Sequence, residues 1–202
     1  MDAKHSLLSV FDTVNHTVAP LSTFQRILLM TDGTVTDVLE AYALEPIRVV
    51  KLSQSFDAVD GDRPELDRPS ADRVLRRSIL LQGAHSGSNF VYADSVLTPD
   101  HLHPEVLQGL LVSEKPLGRL IAEHRIETFR EILALGFEPA GACAEHFGID
   151  PATKLVFRTY RILVSQRPVV RITEKFPVTW FHSLSPNGPE GSSARLRSDI
   201  RP

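Results

Sequence analysis

Residues 73–81 read Arg73-Val74-Leu75-Arg76-Arg77-Ser78-Ile79-Leu80-Leu81 and have the pattern of a β-strand. Side chains alternate between the two faces of a strand, so every second residue from Leu75 to Leu81 shares one face. That face is apolar except for Arg77. A charge on a buried face costs several kcal/mol unless it is paired or binds a ligand. Arg77 is therefore expected to have either a charged partner or a ligand.

A second strand carries a charge of the opposite sign in the same kind of position. Residues 170–178 read Val170-Arg171-Ile172-Thr173-Glu174-Lys175-Phe176-Pro177-Val178. Every second residue from Val170 to Val178 lies on one face, and Glu174 is its only charged member. Because opposite charges occupy the apolar faces of two strands, we predict that Arg77 and Glu174 belong to one site. The alternative that the pattern leaves open is a buried structural ion pair between them.

The composition is that of one ordinary globular domain. The chain has 202 residues, 42% hydrophobic and 23% charged, which is enough to bury a sizeable core. Its net charge of -3 gives no reason to expect binding to nucleic acid or to a membrane surface. The single Cys143 excludes an internal disulfide, and its alanine neighbours favour a packed structural thiol. With no apolar run of about 18 residues and no secretory signal, we expect a cytoplasmic protein.

The order of predicted elements indicates the fold class. Helices are predicted from Ser22 to the break at Asp32-Gly33, and from 34–36 to the residues before Pro46. One strand covers 47–52, and a loop rich in Asp and Pro covers 57–70. Two hairpins are predicted, which join 73–81 to 90–96 and 155–163 to 169–178. Between the hairpins we predict helices over 105–112 and 117–123, a strand over 126–132 and a helix over 140–147.

Hairpins with helices between them, and no alternation of strand and helix, predict an α+β fold. Its single antiparallel sheet would carry helices packed on it. We expect residues 1–21 to form an N-terminal extension, residues 22–182 the single domain, and residues 183–202 a disordered C-terminal tail.

The sequence gives little support for a metal or a cofactor. His101 and His103 are alternate residues, which on a strand could place two metal ligands together. Pro99, Asp100 and Pro104 around them indicate a loop instead, and no third ligand accompanies them. There is no phosphate loop, dinucleotide fingerprint or nucleophile elbow. We therefore predict neither a metal nor a cofactor.

Five short segments occur in a fixed order within residues 22–178. They are Leu28-Leu29-Met30-Thr31-Asp32-Gly33-Thr34-Val35-Thr36, Arg73 to Leu81, Lys115-Pro116-Leu117-Gly118-Arg119, Ile126-Glu127-Thr128-Phe129-Arg130-Glu131 and Ile172-Thr173-Glu174-Lys175-Phe176-Pro177. In this order they resemble the chorismate lyases (chorismate pyruvate-lyases), which make 4-hydroxybenzoate. The resemblance is greatest to the actinobacterial branch, which supplies 4-hydroxybenzoate for phenolic lipids or other secondary metabolites.

The resemblance implies a fold and a set of binding residues. The family fold is a single antiparallel sheet with helices that form flaps over an internal ligand site. The family's carboxylate-binding arginine falls on Arg77, its backbone-contacting leucine on Leu117, and its glutamate on Glu174. An apolar residue of the first flap falls on Val35.

Three positions depart from the family pattern. Arg76 replaces a leucine beside the binding arginine, and Lys175 stands between the glutamate and the apolar Phe176. One more residue than in the family separates Asp32 from Thr36, which leaves the first-flap contact open between Thr34 and Val35.

The resemblance implies a cofactor-free lyase that converts chorismate to 4-hydroxybenzoate and pyruvate. The planar guanidinium of Arg77 suits a carboxylate, which it can bind with two hydrogen bonds. A carboxyl group such as Glu174, among apolar side chains, can accept or deliver a proton. We expect chorismate as the partner molecule, no nucleic-acid or membrane partner, and a monomer or homodimer.

Two other functions are compatible with the same fold. One is a non-catalytic small-molecule-binding domain, like the effector domains of some helix-turn-helix repressors. The residues before the first predicted helix are too few for a DNA-binding domain, which argues against it. The other is a relative that acts on another cyclic acid in secondary metabolism.

Overall fold

The computed structural model describes residues 21–58, 62–63, 68–69 and 73–181. The predicted C-terminal tail lies outside these residues, as does the predicted N-terminal extension apart from Leu21. Leu21 is buried in the core.

A six-stranded sheet forms the body of the fold. In chain order the strands are β1 (Ile47–Ala58), β2 (Asp62–Arg63), β3 (Arg68–Pro69), β4 (Arg73–Gly83), β5 (Asn89–Leu97), β6 (Phe129–Pro139), β7 (Lys154–Val164) and β8 (Arg167–Pro177). The spatial order is β1-β4-β5-β8-β7-β6, while β2 and β3 pair separately. Every neighbouring pair is antiparallel. The predicted antiparallel α+β fold is confirmed.

Five α-helices accompany the sheet in the described residues. They are α1 (Thr23–Met30), α2 (Val35–Ala43), α3 (Pro104–Val112), α4 (Leu117–Glu123) and α5 (Ala144–Phe147), with 3-10 turns at Pro99–His101 and Gly141–Cys143. Within these described residues, no helix has the length and apolar character needed to cross a bilayer. Cys143 is half-buried and packs against the core, as predicted.

Two strands run further than their predicted ends, for the same reason. β1 continues past Leu52 to Ala58, into the predicted loop, and β6 continues past Ile132 to Pro139. In both strands the pairing register shifts at the predicted end, between Lys51 and Ser53 in β1 and between Ile132 and Ala134 in β6. A bulge inserts a residue and breaks the two-residue alternation. The prediction therefore ended each strand at its bulge.

The helices divide the covered face of the sheet into two cores. One core packs α1 and α2 on a row of paired residues, which includes Leu81, Val91, Phe176 and Val156. The other core packs α3 and α4 on a parallel row: Leu75, Leu97, Val170 and Ile162. Two further rows lie between these two, share some residues with the second core, and carry Arg77 and Glu174. The fold thus leaves the middle of the sheet face available for a site.

Candidate active site

Arg77 is a buried cation without an acidic partner among the residues that the structure describes. Its side chain projects from β4, and the residue is 3% exposed. Its Nε donates to Gln54 Oε1 of β1 at 2.9 Å, whereas Nη2 has no hydrogen-bond partner among the described residues. Burial lowers the pKa of Arg77 to about 10, so the group remains charged at neutral pH. Arg77 therefore keeps a donor available for an anion.

Glu174 is held by two donors from the neighbouring strand. The residue is 7% exposed on β8. Its Oε2 accepts a hydrogen bond from Arg158 Nε at 2.7 Å, and its Oε1 accepts one from the Tyr160 hydroxyl at 3.1 Å. The alternative of an ion pair between Arg77 and Glu174 is therefore wrong, because Arg158 is the ion partner of Glu174. The surroundings of Glu174 are also more polar than its strand pattern predicts.

Arg158 is a buried partner of Glu174 that the sequence reasoning missed. It lies directly opposite Glu174 in the pairing of β7 with β8, and it is 1% exposed. Its Nη1 donates to the backbone oxygen of Thr31 at 2.8 Å, and its guanidinium lies 4.8 Å from the centre of the Tyr160 ring. The signal was present in the sequence, since Arg158 and Tyr160 alternate with Val156 and Ile162 on an apolar face.

The Tyr160 hydroxyl keeps its proton over the physiological pH range. Burial raises the pKa of Tyr160 well above its ordinary value, and the nearby Glu174 charge raises it further. For Arg158, burial alone would lower the pKa, but the Glu174 carboxylate raises it overall. Tyr160 and Arg158 therefore remain hydrogen-bond donors to Glu174.

The strand register sets the separation of Arg77 and Glu174. Arg77 pairs with Ser95 of β5, and Glu174 pairs with Ala93 of the same strand. The two residues thus lie on one face, two strand spacings apart and offset by two residues. With about 4.8 Å between strands and about 3.4 Å per residue, their Cα atoms are about 12 Å apart. Both side chains line the space between them.

That space is a partly enclosed cavity, whose walls include all four site residues predicted from the sequence. Arg77, Glu174, Leu117 and Val35 all line it. The space between its walls is ≈ 590 Å³ when the open solvent at its mouth is included. Five apolar side chains of β4, β5, β7 and β8 line its floor: Ile79, Leu81, Ala93, Ile162 and Ile172. The structure therefore combines an apolar floor with a few charged groups.

Two helix starts form the roof of the cavity and touch each other. Residues 33–36 lead into α2, and residues 116–118 lead into α4. A Cβ added at Gly118 would lie 2.7 Å from Thr34 Cγ2, so the two segments are in close contact. Arg119 Nη2 donates to Glu40 Oε2 at 2.8 Å and thereby joins α4 to α2. Leu117 is the first residue of α4, so its amide hydrogen has no partner within the helix.

Arg130 of β6 also lines the cavity. The sequence comparison included it in a matching segment but gave it no role. Its Nη1 donates to the backbone oxygen of Asp32, at the first flap. Its Nε is buried and has no hydrogen-bond partner among the described residues.

The histidines considered as metal ligands lie in another part of the structure. His103 comes together with Glu105 and His124, and their ligand atoms all lie within 4.8 Å of one another. The sequence reasoning found no third ligand because His124 is distant in the chain. His124 Nδ1 lies 2.9 Å from Glu105 Oε2, which is an ordinary pair near the surface.

Comparison with solved structures identifies the same fold in an effector domain and in the ligand-binding domain of a transcriptional regulator. The effector domain of PhnF from Mycobacterium smegmatis matches with a TM-score of 0.57 and 15% identity, covering 73% of this chain and 90% of that one. The ligand-binding domain of a GntR-family regulator from Bordetella bronchiseptica matches with a TM-score of 0.51 and 18% identity, over 64% and 82% of the two chains. At these identities the likeness concerns the fold alone.

Sequence comparison identifies closer relatives. The chorismate pyruvate-lyase of Mycobacterium leprae is 36% identical over 152 residues, or 75% of this chain and 72% of that protein. The chorismate pyruvate-lyase of Mycobacterium tuberculosis is 30% identical over 169 residues, or 82% and 85% of the two chains. The family model described as "Chorismate pyruvate-lyase Rv2949c-like" matches residues 29–182, so the chain belongs to this chorismate pyruvate-lyase family.

Proposed function

We propose that this protein is a chorismate lyase, which converts chorismate to 4-hydroxybenzoate and pyruvate. The observation that carries the proposal is the pair of buried charged side chains, Arg77 and Glu174, that line one cavity without pairing with each other. The family to which the chain belongs and the names of its relatives support the same reaction.

The reaction is an elimination that forms an aromatic ring. The ether bond between the ring and the enolpyruvyl group breaks, and the ring carbon that bears the hydroxyl loses its proton. The departing enolpyruvate gains a proton at its methylene carbon and becomes pyruvate. The reaction transfers no atom to or from a cofactor, so we propose no cofactor. Because aromatisation makes the reaction strongly downhill, the enzyme must mainly orient the substrate and assist proton transfer.

We assign Arg77 to the ring carboxylate. Its guanidinium is charged, buried and short of one hydrogen-bond partner, which favours a bidentate contact with a carboxylate. The separation of about 12 Å between the Cα atoms of Arg77 and Glu174 leaves room for one six-membered ring between their side chains. In chorismate the hydroxyl is para to the ring carboxylate. A ligand anchored at Arg77 would therefore present its hydroxyl side to Glu174.

We assign Glu174 to proton transfer at the hydroxyl-bearing carbon. Arg158 and Tyr160 fix its carboxylate in one orientation, which is the kind of support that a positioned base requires. Leu117 would contribute its backbone amide, and Val35 an apolar contact, from the two segments of the roof. Closure of the roof would exclude water and strengthen the polar contacts inside.

The same proposal covers location and partners. A single cysteine suits a reducing compartment, so we place the enzyme in the cytoplasm. We propose chorismate as the small-molecule partner, and no nucleic-acid or membrane partner. We expect a monomer or a homodimer.

Incubation of the purified protein with chorismate tests the proposal. We expect equimolar pyruvate and 4-hydroxybenzoate, measured by a coupled dehydrogenase assay and by chromatography, and no product from Arg77→Met. Binding of chorismate without turnover would instead indicate a ligand-binding domain. Formation of 3-hydroxybenzoate, or no binding at all, would indicate a different reaction or a different cyclic acid.

A further inference from the structure

The charges around the cavity do not balance. Arg77, Arg130 and Glu174 are the charged side chains of the described residues that line it. Arg158, which lies behind Glu174 at 2.7 Å, already offsets the Glu174 charge. Two guanidinium groups therefore remain without a carboxylate. Arg77 is buried, and Arg130 is half-buried with a buried Nε. Cations withdrawn from water are costly when unpaired, so the site favours a ligand that brings two negative charges.

The two unpaired arginines approach the cavity from different parts of the sheet. Arg77 lies on β4 and Arg130 on β6, with β5, β8 and β7 between them. Arg130 pairs with Ile162, another residue of the cavity wall. One nitrogen of Arg130 is engaged by the Asp32 carbonyl, while its Nε is buried without a partner among the described residues. Because three strands separate Arg77 from Arg130, the two guanidinium groups suit two separate anionic groups.

We infer that Arg130 is a second anion anchor, which binds the carboxylate of the leaving enolpyruvyl group while Arg77 binds the ring carboxylate. This inference rests on the proposed function. It makes Arg130 a residue that distinguishes substrate from aromatic product. Chorismate has both carboxylates, whereas 4-hydroxybenzoate keeps only the one assigned to Arg77. Once pyruvate leaves, Arg130 contributes nothing further to holding the product.

Affinities for ligands with one and two carboxylates test the inference. The probes are 4-hydroxybenzoate and 3-(carboxymethoxy)benzoate, a stable aromatic acid with an ether-linked second carboxylate, both measured by calorimetry. We expect Arg130→Met to weaken the dicarboxylate, and to lower kcat/KM for chorismate, by about 10- to 100-fold, the range for a lost charge-assisted hydrogen bond. The affinity for 4-hydroxybenzoate should stay within about twofold of the wild-type value, since that contact is assigned to Arg77.

Three further variants make the test specific. Arg77→Met should weaken both probes, and Arg48→Met, which removes an exposed arginine on β1, should weaken neither. Arg130→Lys keeps the charge and should retain more dicarboxylate affinity than Arg130→Met, and it also serves if Arg130→Met fails to fold. Equal weakening of both probes in the Arg130 variants would mean that Arg130 only tethers the Asp32 loop, and would overturn the inference. So would unchanged affinity for both probes.

Failure of the proposed function would give a different result. In that case the wild-type protein would not release pyruvate from chorismate, whatever the Arg130 variants do. The two binding affinities would still decide whether Arg130 is a second anion anchor.

Discussion

Folding buries the guanidinium of Arg77, and none of the described residues supplies a counterion for it. Its only hydrogen-bond partner among the described side chains is the neutral amide of Gln54. Such a group lowers the stability of the empty protein, and its presence makes physical sense if a ligand supplies the missing charge. Two predictions follow from the lowered pKa of Arg77.

The first prediction is that Arg77→Met stabilises the ligand-free protein. Burial lowers the pKa of Arg77 from 12.5 to about 10, so folding disfavours the charged form at every pH below about 10. This unfavourable contribution to the unfolding free energy disappears only as the pH rises from about 10 toward 12.5, the pKa of the group in the unfolded chain. At about 1.4 kcal/mol per pKa unit, the variant should gain roughly 1–3 kcal/mol of unfolding free energy at pH 7. Urea denaturation measures this, and a less stable variant would contradict it. Turnover should fall by several orders of magnitude.

The second prediction concerns the pH dependence of ligand binding. Arg77 binds a carboxylate in its protonated form, and in the empty site it loses that proton near pH 10. We expect the affinity for benzoate to be constant between about pH 7 and pH 9 and to fall above about pH 10. Benzoate is chosen because it has no phenol that titrates in this range. Calorimetry measures the affinity, with circular dichroism to verify that the protein stays folded. Constant affinity up to pH 11 would mean that Arg77 keeps its proton in the empty site, and it would contradict the lowered pKa.

A third prediction separates the two roles of Glu174. Glu174→Gln should abolish turnover, but it also leaves Arg158 buried without its ion partner. Breaking a buried pair from one side costs about 3–5 kcal/mol, so this variant should be clearly less stable. The double variant Glu174→Gln/Arg158→Met removes both charges and should recover most of the stability without recovering turnover. If the double variant regains activity, Glu174 has no role in proton transfer.

At the level of elements, the roof depends on the contact between the segments that begin α2 and α4. Gly118 and Thr34 meet so closely that a single methyl group does not fit between them. Arg119 strengthens the junction, and its hydrogen bond to Glu40, together with that carboxylate's charge, raises the pKa of Arg119. The position of Leu117 over the cavity therefore depends on α2 as much as on α4.

We predict that Gly118→Ala separates the two segments and impairs catalysis. A displacement of about 1 Å at a site costs on the order of 10- to 100-fold in rate, so kcat/KM for chorismate should fall by that amount. Removing the Thr34 methyl group relieves the contact. The double variant Gly118→Ala/Thr34→Ala should therefore be more active than Gly118→Ala, after correction for Thr34→Ala alone. Equal losses in the single and double variants would mean that the close contact is unimportant.

At the level of the whole molecule, Gln25 connects α1 to the segment that follows β8. The residue is 0% exposed, and its Nε2 donates to the backbone oxygens of Val178 at 2.7 Å and Trp180 at 2.8 Å. Its Oε1 accepts from the Ser22 amide at 2.8 Å and completes the capping box of α1. One side chain thus satisfies three backbone groups that lie far apart in the sequence.

We expect Gln25→Leu to lower the unfolding free energy by about 2–4 kcal/mol, because each buried backbone group left unpaired costs about 1–3 kcal/mol. Gln25 does not line the cavity, so kcat/KM at low temperature should change by less than about twofold. Gln108→Leu on the exposed side of α3 is a matched control, with an expected change below about 0.5 kcal/mol. A loss of activity without a loss of stability would contradict this structural role.

The amino-acid sequence alone determines the local elements of this protein. Alternation of polar and apolar residues, a property of each strand by itself, was sufficient to predict both hairpins. The same alternation placed Arg77 and Glu174 on faces that the structure buries. It failed where a bulge shifts the alternation, at Leu52 in β1 and at Ile132 in β6.

The tertiary structure alone decides which charges meet. Glu174 pairs with Arg158 because β8 lies next to β7, while β5 separates it from β4 and Arg77. Arg130 lies on β6, the edge strand of the sheet. It lines the cavity only because the fold places β6 beside β7. Alternation tells which face a side chain occupies, but not which strand lies beside it. That neighbour is set by packing of helices and strands that are distant in sequence, and so the pairing of the charges is a property of the whole fold.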